Sequence, residues 1–394
     1  MYAAISWQDT RTAARAAELL KQGLFTNAMA SAAKLEWLMT STPAAEAAAA
    51  AGHLRLGTID TWLVWRLSGG RAHVTDASNA SCTTLYDHAG GGWDSSALKL
   101  LAIPPESMPQ VCGSSEVYGT ATALGGEVPI AGIAGDQQAA MFGEMGLERG
   151  AIKATFGTSG MFDVNVGDLP VFSSRGAYPL VMWSLGGRRT YCLEGTIITV
   201  GAAVQWLRDT LGLLASVEDS GPLAAQATDS GGAWFVPAFQ GMGTPHMLSQ
   251  ARAVFGGLSR ATDRAQIVRA VFEGIAFRGR EVFETLIEDT GLPVPESLRI
   301  DGGAASNDFL MQQMADTLGI AVERPACVQA SALGAAYLAG LAVGVWPDLE
   351  ALKGAWRLGA RFEPRGSATE REGRYERWRT LVEAVKAIPG HDLR

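Results

Sequence analysis

The stretch Pro129–Gly143, PIAGIAGDQQAAMFG, decides the fold class of this chain. An apolar run over residues 130–134 predicts a buried strand, the letters GDQQ at residues 135–138 end it, and the small residues that follow favour a helix. Ligands of α/β sheets collect at the carboxyl ends of strands, so Asp136 is predicted either to cap this helix or to act as a general base. Gln137 has no use as a cap, which favours a substrate contact at this pair.

The rest of the chain alternates strands with helices and predicts an α/β fold. Residues 12–40 read as two helical segments, and the alanine-rich residues 44–51 either extend a helix or form a loop. Residues 56–65 suit a buried helix, whereas residues 71–87, rich in hydroxyl and Asn side chains, predict strand and loop. A longer helix is predicted after a capping box that begins at Asp263.

The length of the chain predicts two domains, because 394 residues exceed what one hydrophobic core usually serves. We place an N-terminal domain at residues 1–145, a C-terminal domain at residues 146–343 and a helical extension at residues 344–394. The 47 glycines predict many tight turns and close backbone approaches, as in nucleotide-binding enzymes.

Charge and cysteine content exclude several classes of protein. A net charge of −8 without Lys/Arg runs argues against nucleic-acid binding. No apolar run is long enough to span a bilayer, and polar residues from Trp7 onward come too early for a signal peptide. The four cysteines are far apart without metal spacing. These features predict a soluble, cytoplasmic protein with free thiols.

A glycine-rich hairpin is the first candidate ligand site. Residues 151–166 predict two strands joined by a four-residue tip, Gly157-Thr158-Ser159-Gly160. Backbone N–H groups in such a turn form a concavity that suits phosphate oxygens. The alternative is an ordinary hairpin turn.

Two further candidate sites share one spacing. Gly201 and Gln205 lie four residues apart at the start of a predicted helix, and so do Gly303 and Asn307. Each glycine would admit a ring or phosphate to the backbone, and each amide would lie one turn further on the same face, where it suits an adenine edge. The alternative for each is a packing glycine with a surface amide.

Trp7, in the stretch AISWQDTRT, is a candidate for an acceptor site. Its ring could cover the C–H faces of a polyol or sugar. The alternative is a core tryptophan, since Trp is usually largely buried.

Several of these stretches resemble the FGGY carbohydrate kinases. The similar segments are AISWQDTRT, GHLRLGTIDTWLVWRLSGG, GDQQAAMFG, ATFGTSGMF, IDGGAASNDFLMQQMAD and ALGAAYLAGLAVGVW, and several of them fall in the family's order. The resemblance runs from Ile5 to about residue 350 and is greatest to the members that phosphorylate glycerol. It is far more specific than any one glycine pattern.

The resemblance implies a two-domain actin-like ATPase (ribonuclease H-like) fold that transfers a phosphoryl group from ATP to a small polyol or sugar, with glycerol as the leading acceptor. Asp136 would be the general base and lie near Mg²⁺, while Gln137, Trp7 and Met161 would bind the acceptor. The residues implied to hold ATP are Gly157, Thr158, Gly201, Gln205, Gly303 and Asn307. A homo-oligomer is left open beside a monomer, and neither nucleic acid nor membrane is expected as a partner.

The chain departs from the family pattern at several positions. The Asp-x-Gly-Thr phosphate loop of the family is absent from the sequence, so we expect a truncated N-terminal domain. Met29 and Met161 stand where glycerol-phosphorylating members carry Tyr and Phe. Two functions stay open: an active kinase, and an inactive fragment that only binds nucleotide. Asp136-Gln137 and Trp7 argue against a third, an actin- or chaperone-like ATPase without a small acceptor.

Overall fold

The computed structural model describes residues 4–123 and 125–388 and divides into two compact units. The first unit contains the chain up to Ala139 together with Leu180–Tyr191 and Gly334–Leu352. The second contains Ala140–Pro179, Cys192–Leu333 and the chain from Lys353 onward. The domain boundaries expected at 145/146 and 343/344 stay predictions.

Short helices alternate with short strands up to residue 143. In chain order they are α1 Ala13–Lys21, α2 Ala32–Ser41, α3 Pro43–Ala50, α4 Ile59–Leu67, β1 Val74–Asp76, α5 Ala77–Cys82, β2 Tyr86–Asp87, β3 Gly92–Trp93, α6 Ser95–Leu100, β4 Gln110–Cys112, β5 Ser115–Ala121, β6 Val128–Gly132 and α7 Asp136–Gly143. The helices expected within residues 12–40 are confirmed, and the alanine-rich segment is a helix rather than a loop.

Longer elements follow. They are β7 Ile152–Phe156, β8 Gly160–Gly167, β9 Tyr178–Leu185, β10 Arg188–Ile197, α8 Gly201–Asp209, α9 Ser220–Ala224, β11 Trp234–Val236, β12 Val254–Gly256, α10 Arg264–Thr290, β13 Ser297–Asp301, α11 Asp308–Leu318, β14 Ala321–Pro325, α12 Ala330–Ala342, α13 Leu349–Lys353, β15 Leu358–Phe362 and α14 Ala368–Lys386.

The strand before Asp136 is less buried than its sequence predicts. β6 pairs with β5 in a two-stranded antiparallel sheet, and its first residues, Val128 and Pro129, are exposed. Only the later part is covered: at Gly132 an added Cβ would lie 2.6 Å from backbone atoms of Ala335 and Ala339 in α12. A small-residue helix face therefore packs directly on the strand backbone.

Two predictions about the region 56–87 are only partly confirmed, since the helix α4 and the strands β1 and β2 form as expected. α4 is amphipathic rather than buried, since the side chains of Ile59 and Leu63 are 63% and 52% exposed. The segment expected to be strand and loop contains a helix, α5, because the carboxylate of Asp76 accepts hydrogen bonds from the Ser78 and Asn79 backbone N–H groups at its start.

A seven-stranded mixed sheet has the strand order β15-β14-β13-β7-β8-β10-β9, and its strands from β15 to β8 belong to the second unit. β7, β13 and β14 are parallel neighbours, whereas β15 and β8 run antiparallel to theirs. The capping box at Asp263 and Gln266 is confirmed as the start of α10, which packs against α11, α9 and β11. The segment 344–394, expected to be helical, also supplies the edge strand β15.

Glu144 is a buried carboxylate just beyond α7. Its side chain is 1% exposed, Oε2 accepts a hydrogen bond from Trp356 Nε1 at 2.8 Å, and Oε1 has no hydrogen-bond partner among the described residues. Burial, with a smaller contribution from Asp301, raises the pKa of Glu144 from 4.5 to about 7, although the Trp356 hydrogen bond and the positive charges of Arg299 and Lys153 oppose the rise.

We therefore expect Glu144→Gln to remove part of the pH dependence of stability. The folded pKa lies above the unfolded value, so the contribution of Glu144 is complete below about pH 4.5 and is lost as pH rises to about 7. At ~1.4 kcal/mol per pKa unit, the free energy of unfolding should fall by up to about 3 kcal/mol over this range. Urea unfolding of wild type and variant between pH 5 and 8 measures the difference, and Glu148→Gln, at an exposed site, is the matched control. Parallel pH profiles for wild type and Glu144→Gln would contradict it.

Candidate functional site

A cavity of about 1160 Å³ lies in the second unit, where β7 and β13 end and α8 begins. It is large enough for a nucleotide, since small-molecule sites usually measure about 300–1000 Å³. All six residues predicted to hold the nucleotide line it: Gly157, Thr158, Gly201, Gln205, Gly303 and Asn307. The structure thus brings together three segments that are far apart in the sequence.

The hairpin tip is shorter than predicted and is held against α8. Phe156 pairs with Gly160, so the tip has three residues, Gly157–Ser159, rather than four. The Gly157 N–H donates to the Ser159 carbonyl at 2.9 Å. The carbonyl of Thr158 accepts from the N–H groups of Val200 and Ala202 at 3.0 and 3.2 Å, while the Thr158 side chain is exposed at the cavity.

Gly201 packs against the hairpin tip, as the alternative of a packing glycine expected. Its N–H donates to the Gly157 carbonyl at 2.9 Å, and an added Cβ would lie 2.5 Å from that oxygen. The glycine therefore allows the hairpin tip to approach α8, and its own N–H is not left for a ligand. Gln205 is exposed one turn further along α8, as the spacing predicts.

The second glycine and amide pair has a different geometry from the first. Gly303 begins a 3₁₀ turn, Gly303–Ser306, and Asn307 is the N-cap of α11, so the two do not share one helical face as predicted. An added Cβ on Gly303 would meet nothing within 4 Å, which leaves its backbone open to the cavity. At the preceding Gly302, where φ is +87°, a Cβ would lie 2.6 Å from the Phe156 carbonyl oxygen. That close approach holds the ends of β7 and β13 together.

A buried charge network joins these same strands. Lys153 Nζ lies 2.9 Å from Asp163 Oδ2 on β8, and both side chains are 1% exposed. Lys153 also donates to Thr155 Oγ1 at 2.8 Å, and Thr155 is hydrogen-bonded to Asp301 on β13. Desolvation alone would lower the pKa of Lys153, but the charges of Asp163 and Asp301 reverse its direction and raise it. Burial raises the pKa of Asp301.

Asp136 is the first residue of α7 rather than its cap. The Gly135 carbonyl accepts from the Ala139 N–H at 2.7 Å and begins the helix. The Asp136 side chain is exposed, and its Oδ1 accepts from the Gln137 N–H at 2.9 Å while Oδ2 lies 3.4 Å from Gln137 Nε2. Of the two roles that the sequence left open, the role of N-cap is therefore wrong.

A buried network that the sequence reasoning missed supports the turn before Asp136. The Gly135 N–H donates to Ser78 Oγ at 2.8 Å, and that hydroxyl donates to the carboxylate of Asp76. Ser114 Oγ donates to Asp76 at 2.6 Å. Asp76 is fully buried, and desolvation raises its pKa. An Asp before a run of small residues is a helix-cap signal that the sequence offers, but the partner at Gly135 is visible only in the folded chain.

Trp7 is 49% exposed, so the core alternative for this residue is wrong. Two residues later Asp9 accepts a bidentate pair of hydrogen bonds from Arg11, which lowers the pKa of Asp9 to about 2. The Arg11 guanidinium lies 4.7 Å from the ring centroid of Trp37. Trp7, Asp136 and Gln137 all belong to the first unit.

The two methionines at family-divergent positions are half-buried. Met29 lies in a loop whose backbone is tied down by the buried ammonium of Lys34, which donates to the carbonyls of Ala28, Met29 and Ala30. Met161 lies on β8 opposite Thr155, two residues beyond the hairpin tip.

Residues 4–123 and 125–388 contain neither a membrane-spanning helix nor a metal-binding cluster. The helices there are too short or too polar to cross a membrane. In the same residues, no cluster of three or more His, Cys, Asp or Glu side chains has the arrangement of a metal site. None of the four cysteines, which all lie within the described residues, forms a disulfide bond.

Models of the two domains of one protein family match the chain. The N-terminal domain of the FGGY family of carbohydrate kinases matches residues 1–143, and its C-terminal domain matches residues 152–343. The chain belongs to the FGGY family of carbohydrate kinases. This confirms the resemblance read from the sequence and its two-domain actin-like fold.

Individual FGGY kinases are similar over nearly the whole chain. Glycerol kinase 2 of Thermotoga maritima is 45% identical, with 97% of this chain and 79% of that protein covered. The glycerol kinase of Aromatoleum aromaticum is 47% identical at the same coverage. The crystal structure of Plasmodium falciparum glycerol kinase with ADP has a TM-score of 0.90 at 31% identity, covering 98% of this chain and 79% of that one.

Proposed function

We propose that this chain transfers the γ-phosphoryl group of ATP to glycerol. The observation that carries the proposal is the cavity at which all six expected nucleotide residues meet, in a chain about 45% identical to proteins named glycerol kinase. Another small polyol or sugar is the alternative acceptor, because Met29 and Met161 lack the hydroxyl and flat ring of the residues expected there.

Residues of the second unit hold the nucleotide in this proposal. The open backbone at Gly303 and the exposed hydroxyl of Thr158 face the cavity and suit phosphate oxygens. Gln205 and Asn307 offer amide groups at its wall. Gly157 and Gly201 act through the backbone, since their contact keeps the hairpin tip against α8.

Asp136 acts as the general base toward the acceptor. As the acceptor oxygen forms its bond to the γ-phosphorus, its proton passes to a carboxylate oxygen of Asp136, and the bond from phosphorus to the bridging oxygen breaks to release ADP. The Asp136 side chain is exposed, as a base that must reach a bound hydroxyl has to be. Gln137 hydrogen-bonds the acceptor in this proposal, while Trp7, already half-exposed, covers its C–H faces. Met161 is proposed as a further acceptor-binding residue.

The donor set fits Mg²⁺ carried in with the nucleotide. Mg²⁺ is usually held by one or two carboxylates together with substrate phosphates, and Asp136 supplies one exposed carboxylate. When bound, the ion neutralises charge on the phosphates. A Mg²⁺ site built from protein side chains alone, without the nucleotide phosphates, is not expected.

The first test is ADP production by the purified chain with ATP, Mg²⁺ and glycerol, compared with a blank without acceptor and with a panel of other polyols and sugars. Glycerol-dependent turnover well above the blank is the expected result. Turnover with another acceptor only would replace glycerol. A flat trace from folded protein that still binds ADP in calorimetry would support the nucleotide-binding fragment instead.

A further inference from the structure

The orientation of the Asn307 amide is determined by groups outside the predicted site. The Leu310 N–H donates to Asn307 Oδ1 at 3.1 Å, and this backbone group can only donate. Asn307 Nδ2 donates to Ser220 Oγ at 3.1 Å, while the hydroxyl of Ser220 itself donates to the Val217 carbonyl. Each partner can play only one role, so the amide cannot flip. One N–H of Nδ2 is left over after these bonds.

Gly221 packs closely against the same amide. An added Cβ at Gly221 would lie 2.9 Å from Asn307 Oδ1 and 3.2 Å from Nδ2. Gly221 lies within α9 without a positive φ, so its backbone would accept alanine. The conflict would be with the Asn307 side chain, which the cap to α11 prevents from moving freely. Ser220, Gly221 and Asn307 all line the cavity, and Ser220 is fully buried.

We propose that Ser220 and Gly221 are positioning residues that hold the Asn307 amide so that its remaining N–H meets an acceptor nitrogen of the nucleobase. This inference rests on the proposed function. Phe309, two residues after Asn307, lines the same cavity with Phe272 and Arg269 packed against its ring, and so offers an apolar face to a planar base. Ser220 and Gly221 therefore affect the affinity for the nucleobase, but neither the binding of the acceptor nor the chemical step.

The test is a double-mutant cycle on ADP binding. Ser220→Ala removes the acceptor of Nδ2, and Gly221→Ala displaces the amide. Each should weaken ADP binding, measured by calorimetry, and raise the KM for ATP about three- to tenfold, while the KM for glycerol and kcat change less than about twofold. In an Asn307→Ala background neither change should have a further effect, because residues that act through one group are not additive.

Two more variants separate positioning from general destabilisation. Asn307→Asp keeps an oxygen for the helix cap but has no donor, so ADP binding should fall at least about tenfold while the thermal midpoint stays near wild type. Gly373→Ala, at an exposed position of α14 where a Cβ meets nothing within 4 Å, is the matched control and should leave binding unchanged.

The outcomes distinguish failure of the proposed function from failure of the positioning role. If the wild-type chain binds no ADP, the proposed function fails and this inference fails with it. If the wild type binds ADP but the effects of Gly221→Ala and Asn307→Ala simply add, or Asn307→Ala has no effect, the positioning role is overturned and the proposed function stands.

Discussion

Asp136→Ala is expected to abolish glycerol-dependent turnover, and the isosteric Asp136→Asn to lower kcat by about 10²- to 10⁴-fold, the usual contribution of a general base. Asn keeps the volume of the side chain and an oxygen for the Gln137 N–H, but it cannot take the proton of the attacking hydroxyl. Steady-state ADP production measures kcat, and calorimetry with ADP should give a binding constant within about twofold of wild type.

The test of this prediction requires two controls. Asp136 is an acidic residue in the first turn of α7, so its loss removes a favourable interaction with the helix dipole of about 0.3–1 kcal/mol. Thermal unfolding must therefore show that the variants are folded at the assay temperature. Asp168→Asn, at another exposed aspartate, should leave kcat unchanged. Retention of more than a tenth of wild-type turnover by Asp136→Asn would contradict the assignment.

Lys153→Met is expected to destabilise the second unit by about 3–5 kcal/mol, because it leaves Asp163 and Asp301 buried without their cation. The size of this loss of stability should depend on pH, and its direction follows from the titration of the buried carboxyl group of Asp301. Burial already raises the pKa of Asp301, and loss of the Lys153 charge raises it further, so this carboxyl group binds a proton in the folded state as pH falls. The destabilisation is therefore larger at pH 8 than at pH 5.

Urea unfolding at both pH values measures this effect, and the chain contains a matched control. Lys353 is 40% exposed and lies 3.1 Å from Glu148, which is 80% exposed. Lys353→Met should cost no more than about 1 kcal/mol at either pH, because exposed ion pairs contribute little. Equal losses for the two methionine variants would mean that the buried network does not hold β7, β8 and β13 together.

The sequence alone predicted much of the local structure. The hairpin predicted within residues 151–166, the capping box at Asp263 and the helix after Gly135 all depend on hydrogen bonds between residues close in the chain. Their signals can therefore be recognised from the sequence. The family motifs also named six residues that meet at one cavity. Their nucleotide-binding roles stay predictions.

Only the tertiary structure decided what several of those residues contact. Gly201 is small because the hairpin tip lies against it, and Asn307 is oriented by Ser220 from a different helix. Lys153 is buried because Asp163 and Asp301 come from neighbouring strands. The reason is the same in each case. Steric fit and the pairing of buried polar groups depend on atoms brought together from distant parts of the chain, whereas turns, caps and periodicity depend on neighbours along it.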